Sequence, residues 1–239
     1  MNTTKIATSS SDDITVRGKS LPRELIGKLS FSEMMCFTIL GEVPSAARIA
    51  CIDACLVALM EHGLTPSALS TRLIYGSAPE AMQGAVAAGL LGVGGNFVGT
   101  VEGCAKLLAR IVAGEPPAAI VAETTALPGF GHPTHKPDDP RAPVLFEVAR
   151  RHGIAGPYVA ALEALSAALE AAKRRHSTIN ATGAVAAVLA DAGIPVEIMR
   201  GFALITRCAG LVAHVHEEQR EPAMREIWRA AEEAIPYRP

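Results

Sequence analysis

Two residues of one unusual segment have side chains suited to acid–base chemistry and anion binding. His132 lies in "PGFGHPTHKPDDPRA", whose glycines and prolines exclude a helix and favour a stiff turn. An imidazole held on such a turn suits proton transfer, because it titrates near neutral pH. Arg141 follows nine residues later at a predicted helix start, where its guanidinium could bind a carboxylate. On composition alone, the segment could equally be a rigid connector.

Two further residues stand in apolar surroundings. Arg207 lies in "FALITRCAGLVAHV", where an unpaired arginine is costly, and it therefore predicts an anion-binding pocket. His62 ends an apolar helix and could simply interact with the helix dipole. His214 and His216 face different sides of one predicted helix, so we interpret them as structural.

Metal and nucleotide sites are not indicated by any sequence pattern. HExxH, CxxC, Walker and GxGxxG patterns are absent from the sequence, and His135 and His176 are expected on exposed loops. The sequence therefore predicts no metal, and it gives no support for a nucleoside triphosphate or a dinucleotide cofactor.

The elements that position these residues are predicted to be helices. Hydrophobic residues make up 49% of the 239 positions and aromatic residues only 4%, so small aliphatic side chains dominate the core. Such a core favours closely packed helices, and no stretch alternates long enough to predict a strand. The fold class is therefore all-α. Helices are predicted near 25–40 with a break at a capping Ser32, and over 45–62, 65–76, 77–95, 97–113, 141–152, 156–174, 180–191 and 195–218.

The expected organisation is a discontinuous pair of helical domains. We expect a disordered tail at 1–13, a large domain from 14–101 and 189–239, and a small domain over 102–188 that contains the loop 126–137.

Charge, cysteine content and hydropathy limit the partners and the compartment. The net charge of -2 gives no electrostatic sign of nucleic-acid binding. The polar start has no apolar signal region, and no membrane span is convincing. Five cysteines without a CxxC pair suggest reduced, mostly buried thiols and a cytoplasmic location.

Seven segments together resemble the citrate synthase superfamily. The resemblance runs from about residue 14 to the C-terminus and is strongest to its short members, the stand-alone citryl-CoA lyases and the C-terminal lyase module of ATP citrate lyase. The segments, in order, are "ITVRGKSLPRELIGKLSFSEM", "GEVPS", "EHGLTPSALSTRLI", "AAGLLGVGGNFVGTVEG", "PGFGHPTHKPDDPRA", "INATGAV" and "TRCAGLVAHVHEEQRE".

The resemblance implies a citrate synthase-like fold and a role for each matching residue. His132 would handle the proton of the substrate's hydroxyl or carbonyl group, and His62 would bind the oxaloacetate portion. The substrate carboxylates would be bound by Arg141, Arg207 and Arg225. Arg220 is the alternative to Arg225 for the third of these positions. Coenzyme A would bind along the loop 126–137, through Leu127, Pro128, Gly129, Phe130, Gly131 and Lys136.

Two departures from the family pattern concern the reacting carbon of the acyl group. Where citrate synthases carry the histidine of "PLHGG", this sequence has Phe97-Val98. The lyase module of ATP citrate lyase also lacks that histidine, so its absence favours a lyase over a synthase. Thr182 stands at the position of the family's catalytic aspartate, and a hydroxyl is a poor base near neutral pH. Water, Asn96, Asn180 or Glu102 could substitute.

The resemblance therefore leads to one hypothesis with two alternatives. The leading hypothesis is a lyase that cleaves citryl-CoA to acetyl-CoA and oxaloacetate. The alternatives are a related enzyme with another acyl-CoA and 2-oxo acid, or a non-catalytic protein that binds CoA thioesters. A homodimer or dimer of dimers is expected, with no nucleic-acid or membrane partner.

Overall fold

Helices build the framework of the protein, as the fold-class prediction states. A computed structural model describes residues 2–124 and 126–238, so Met1, Thr125 and Pro239, which fall within the predicted domain ranges, lie outside the described residues. The helices are α1 Phe31–Leu40, α2 Ala46–Met60, α3 Pro66–Ser77, α4 Met82–Leu91, α5 Thr100–Val112, α6 Pro117–Glu123, α7 Arg141–Arg151, α8 Pro157–Lys173, α9 Ala181–Asp191, α10 Met199–Arg220 and α11 Met224–Ala234.

A small antiparallel sheet near the N-terminus departs from the predictions. Strands β1 Ala7–Ser9, β2 Ile14–Val16 and β3 Lys19–Ser20 pair in the order β1-β2-β3. The expectation of disorder over 1–13 is therefore wrong for β1. The expectation of no strand is wrong as well, because strands of two or three residues are too short for an alternating pattern to show.

Local hydrogen bonds explain where individual helices begin. Ser30, rather than the predicted Ser32, caps α1 in a capping box: its hydroxyl accepts the Glu33 N–H, and the Glu33 carboxylate accepts the Ser30 N–H. The helix begins earlier than expected because Ser30 and Glu33 have the three-residue spacing that the capping box requires. Asn180 caps α9 by accepting a hydrogen bond from the Gly183 N–H.

The main core is organised around α9. Every residue from Gly183 to Leu189 is buried, and the alanines let α2, α5, α7 and α8 approach closely. A second buried cluster joins α3, α4 and α10. Because the main cluster combines α2 with α7 and α9, it draws on both predicted domains, and the domain division stays a prediction.

The longest helix passes a simple test for a membrane span by length and composition. The apolar window within Val196–Arg220 is half buried inside the protein, as a core helix would also be. The test is therefore weak evidence for a span.

The five cysteines are all free, and four of them are buried, as predicted; Cys208 is half-buried. Burial raises the pKa of Cys36 to about 11 and the pKa of Cys104 to about 12. These thiols are therefore protonated and unreactive near neutral pH.

Candidate active site

A cavity of about 1020 Å³ brings together residues that are far apart in the chain. His62, His132, Arg141, Arg207 and Thr182 all line it. The loop that precedes α7 forms one wall, and the starts of α3, α5 and α9 form others. The convergence of the histidines and arginines is the arrangement that the resemblance implies.

The cavity wall formed by the loop depends on two glycines in close contact. Gly129 has a positive φ of 91°, and a Cβ there would lie 2.6 Å from the Sγ of Cys104. A Cβ on Gly183 would lie 2.5 Å from the carbonyl oxygen of Gly129. The Asn180 N–H donates to that same oxygen at 3.0 Å. The loop is therefore held against the start of α9, and a larger residue at either glycine would push the two apart.

The hydrogen bonds of His132 determine which ring nitrogen carries its proton. The backbone N–H groups of Thr134 and His135 donate to Nδ1 at 3.1 and 3.0 Å. Burial, followed by the neighbouring His135, lowers the pKa of His132 below its ordinary value. The ring is therefore neutral near pH 7, with its proton on Nε2, and it can donate a hydrogen bond to a ligand oxygen.

Three imidazoles are clustered at this end of the cavity. The Nε2 atoms of His62 and His135 are 3.2 Å apart, and the rings of His132 and His135 are 4.3 Å apart between centroids. Burial, followed by the charge of Arg141, lowers the pKa of His62. The nitrogens are close enough for a metal ion. However, the His132 Nε2–H and two nearby guanidiniums disfavour a cation, so the absence of a metal stays a prediction.

Arg141 is held in place by a buried carboxylate. Asp139 is fully buried, and it accepts hydrogen bonds from the Nε and Nη2 of Arg141 at 2.9 and 2.8 Å. It also accepts the Ala181 N–H at 2.9 Å, which links the start of α7 to the start of α9. Burial alone would raise the pKa of Asp139, but hydrogen bonds from Arg141 and Ala181 lower it to about 2. Asp139 therefore stays charged and orients Arg141.

Arg207 differs from Arg141 because its charge has no comparable partner. The residue is only 3% exposed, and its Nε and Nη1 atoms make no hydrogen bond with any part of the chain that the structure describes. Burial lowers its pKa, and the charge of Glu61 opposes that effect. A buried guanidinium with free donors beside a cavity is suited to a carboxylate ligand.

We call the surroundings of Thr182 the uncharged end of the cavity, because the hydrogen-bond partners of its hydroxyl are polar but carry no charge. The hydroxyl of Thr182 donates to the Oδ1 of Asn180 at 2.6 Å and accepts from Thr100 at 2.8 Å. Since its proton is already engaged, the structure offers no activation of Thr182 as a base. Asn180 is engaged too, because its Nδ2 donates to the carbonyl of Gly131 at 2.8 Å. Asn96 also lines the cavity.

Among the cavity-lining residues of the described ranges, Glu102 is the one carboxylate. Its side chain pairs with Lys106 at 2.6 Å and with Arg200 at 3.1 Å. The hydrogen bond from Lys106 is the main cause of its lowered pKa. Glu102 therefore remains ionised near neutral pH and is poorly suited to donate a proton to carbon.

The structure separates two predicted residues from the others. Arg225 lies beside a second cavity, near Tyr75 and Met224. It lies there because Glu218 accepts the N–H groups of Ala223 and Met224 and so holds α11 beside α3. Arg225 therefore does not line the main cavity within one copy of the chain, and its role in binding the substrate stays a prediction. Lys136 is exposed and does not line the main cavity, whereas Leu127, Pro128, Gly129, Phe130 and Gly131 do.

Two residues of the site were missed or misplaced from the sequence. His135, expected on an exposed loop, is half-buried against His62. Its three-residue spacing from His132 on a stiff turn was the available signal. Asp139 stands two residues before Arg141, where a carboxylate can bind the arginine's own side chain.

Comparisons with known proteins identify the family of the chain and agree with its all-α fold. The family model for the citrate synthase C-terminal domain matches residues 5–231. The structure of citryl-CoA lyase from Hydrogenobacter thermophilus superimposes with a TM-score of 0.85 at 30% identity, covering 92% of this chain and 88% of that one. An ATP citrate lyase from Methanosaeta concilii, solved in complex with (3S)-citryl-CoA, gives a TM-score of 0.81 at 20% identity, covering 100% of this chain and 42% of that one.

The curated relatives are longer proteins. "Putative citrate synthase 2" from Mycobacterium tuberculosis is 30% identical over 215 residues, which is 84% of this chain and 56% of that protein. The chain thus spans little more than half the length of the curated relatives that it matches.

Proposed function

The chain belongs to the citrate synthase family, and on this premise we propose that it is a carbon–carbon lyase of the citryl-CoA lyase type. The proposed reaction cleaves citryl-CoA, a 3-hydroxy-3-carboxyacyl-CoA, to acetyl-CoA and oxaloacetate. The observation that carries the proposal is the free, buried guanidinium of Arg207, which lines the same cavity as the Nε2 donor of His132.

The charged end of the cavity would bind the oxaloacetate portion. Arg207 offers free donors to one carboxylate, and Arg141, held by Asp139, presents a second guanidinium. His62 lines the same region. Because these groups are fixed before the substrate arrives, little free energy is lost in ordering them on binding.

The proposed role of His132 follows from its tautomer. In cleavage, the bond between the methylene carbon and the hydroxyl-bearing carbon breaks, the hydroxyl loses its proton, and its oxygen becomes a carbonyl. The leaving carbon becomes an enolate and gains a proton. Because the Nε2 of His132 already carries a proton, the hydroxyl proton would pass to a water in the cavity. The Nε2–H of His132 would donate to the resulting alkoxide oxygen until its negative charge moves to the leaving carbon.

Within the described part of the chain, the uncharged end of the cavity has no side chain suited to proton transfer at the methyl carbon. Synthesis from acetyl-CoA requires a base that takes a proton from that carbon, and Thr182 is not such a group. Cleavage returns a proton to the same carbon through the same transition state, so in this proposal water takes that role in both directions. Helices α5 and α9 both begin at the cavity, and their N-terminal dipoles would favour the negative enolate.

The loop before α7 is the proposed binding surface for coenzyme A. Pro128, Gly129 and Gly131 line the cavity with backbone as well as side chains. Lys106 and Arg200 line the cavity as well, and both would attract phosphates, although Glu102 offsets part of their charge.

Oligomeric state and location are further parts of the proposal. We expect a homodimer or dimer of dimers, and the 59% exposed Trp228 on α11 supplies an apolar contact for a second copy. The free, buried cysteines favour the cytoplasm.

The proposal is tested by incubating the purified protein with (3S)-citryl-CoA and related 3-hydroxy-3-carboxyacyl-CoA thioesters, with products followed by mass spectrometry. Acetyl-CoA and oxaloacetate should appear, and His132→Ala should slow their formation by about 100-fold or more. His176→Ala, which alters an exposed histidine away from the cavity, is the control. If wild type and His132→Ala are equally inactive on every thioester, the proposal is wrong.

A further inference from the structure

A chain of polar side chains runs from the interior of α10 to the backbone of His62. The Nε of Arg72 donates to the Nδ1 of His214 at 3.0 Å. The Nε2 of His214 lies 3.1 Å from the Oε2 of Glu61. The Oε1 of Glu61 accepts the His62 N–H at 2.8 Å and the Gly63 N–H at 2.6 Å. His214, whose side chain does not line the cavity, is thereby connected to a residue that does.

Arg72 determines the tautomer of His214. A guanidinium can only donate, so the Nδ1 of His214 must be the acceptor, and a neutral imidazole then carries its proton on Nε2. The Nε2 lies 3.1 Å from the Glu61 carboxylate, in a geometry outside that of a hydrogen bond, and it has no hydrogen-bond partner within the described ranges. The contact is therefore electrostatic, with the Nε2–H of His214 beside a carboxylate oxygen of Glu61.

Arg72 is itself fixed, so the ring of His214 cannot turn over at low cost. Its Nη1 donates to Glu218 at 2.9 Å, and its Nη2 pairs with Glu217. Arg72 and Glu218 are only 4% and 3% exposed. A flipped ring would direct an N–H at the guanidinium and leave buried donors without acceptors.

The close approach of α10 to the end of α2 requires a glycine. A Cβ on Gly210 would lie 2.2 Å from the carbonyl oxygen of Met60 and 2.9 Å from the Oε2 of Glu61. Burial alone would raise the pKa of Glu61, but the hydrogen bond from the His62 N–H, followed by the nearby imidazole of His214, lowers it. Glu61 is therefore a charged acceptor that links α10 to the turn after α2.

We propose that His214 is a positioning residue for the substrate-binding His62, and that it acts through Glu61. This inference rests on the proposed function, in which His62 binds the oxaloacetate portion. His214 orients the carboxylate of Glu61, and that carboxylate fixes the two backbone N–H groups of the turn that carries the His62 imidazole into the cavity.

Two substitutions separate this role from simple packing. His214→Asn can keep an acceptor for Arg72 but is too short to reach Glu61. His214→Gln can place an amide N–H near the position of Nε2 and so keep the contact with Glu61. If positioning is the role, the Gln variant should resemble wild type and the Asn variant should not, at similar melting temperatures.

The first measurement is hydrogen exchange at the His62 and Gly63 amides, which requires no turnover. His214→Asn should speed this exchange by about 10-fold, and His214→Gln by less than about 3-fold. The same variants are then titrated with oxaloacetate by calorimetry, where the Asn variant should bind about 10-fold more weakly. Unchanged exchange in the Asn variant, or equal losses in both variants, would overturn the inference.

A second pair of variants protects the test against misfolding of His214→Asn. Glu61→Gln removes the charge from a half-exposed side chain, and should itself speed exchange at His62 and Gly63. Adding His214→Gln or His214→Asn to Glu61→Gln should then have little further effect, because the residues act in series. Fully additive effects would contradict the inference.

If wild type neither binds oxaloacetate nor cleaves citryl-CoA, the proposed function fails, while the exchange data still decide whether His214 positions His62.

Discussion

The two ends of the cavity are built in opposite ways. At one end, Arg141 and Arg207 provide positive charge beside the donor His132, with Asp139 buried behind them. At the other end, Thr182 hydrogen-bonds only to uncharged groups. The charged end retains the groups that the resemblance implies for binding a carboxylate-bearing substrate. The uncharged end lacks the carboxylate that family members use at the reacting carbon.

This contrast suggests that binding and carbon chemistry can be altered separately within one fold. Charged groups that act together depend on each other for orientation, as Arg141 depends on Asp139. Thr182 is held by hydrogen bonds to neutral neighbours, so its replacement leaves no charge unpaired. We therefore expect substitutions at the charged end to have the larger effects.

The largest effect is expected from Arg207→Met, which keeps the length of the side chain but removes its charge. The kcat/KM for citryl-CoA should fall by about 100- to 1,000-fold, because a desolvated carboxylate loses its ion pair. The melting temperature without ligand should stay the same or rise, since the free protein no longer buries an unpaired charge. Both quantities are measured on the same preparation.

The control for this comparison is Arg200→Met. Arg200 lines the same cavity, but it is half-exposed and paired with Glu102. It should lose less than about 10-fold in kcat/KM. If Arg207→Met lost activity only in proportion to lost thermal stability, Arg207 would be a structural residue.

A smaller effect is expected from Thr182→Val at the uncharged end. Because the hydroxyl of Thr182 only hydrogen-bonds to Asn180 and Thr100, its removal should lower kcat/KM for citryl-CoA by less than about 10-fold. A loss of 100-fold or more would show that the hydroxyl takes part in the chemistry.

Thr182→Asp sharpens the same comparison by restoring a carboxylate. An increase in citryl-CoA cleavage or in citrate formation from acetyl-CoA and oxaloacetate would favour the alternative in which the site now serves a different acyl-CoA and 2-oxo acid. No increase in either, with citryl-CoA cleavage retained, would favour the lyase. Product formation in both directions is followed by mass spectrometry.

The smallest effect concerns stability at low pH. Hydrogen bonds lower the pKa of Asp139 from 3.8 to about 2, so it stabilises the folded state above pH 3.8. This contribution, about 2 kcal/mol, is lost as the pH falls from about 4 towards 2. Chemical denaturation between pH 3 and pH 6 should show a wild-type advantage over Asp139→Asn that is constant above pH 4.5 and shrinks below it. An equal pH dependence of both proteins would contradict this role.

The sequence predicted the helices better than the contacts within the site. The bounds of α7, α8 and α9 agree with the predicted helices over 141–152, 156–174 and 180–191 because Pro140, Pro157 and the capping Asn180 mark their starts. Strand β1 was missed because a three-residue exposed strand carries no periodic signal.

The misplaced site residues have a common physical cause. His135 contacts His62 across 73 positions of sequence, and such a pairing depends on how the loop folds back onto the end of α2. Arg225 was assigned from the family resemblance, but the turn held by Glu218 directs α11 towards α3, away from the main cavity of the same chain. Long-range orientation of this kind is not encoded in local spacing.

The central claim is that the buried arginine beside His132 binds a substrate carboxylate. The most direct measurement is a crystal structure of the wild-type protein with oxaloacetate and coenzyme A bound. We expect one substrate carboxylate in contact with the guanidinium of Arg207, and the keto oxygen within hydrogen-bond distance of the Nε2 of His132. Oxaloacetate bound elsewhere, with Arg207 touching no ligand atom, would contradict the account.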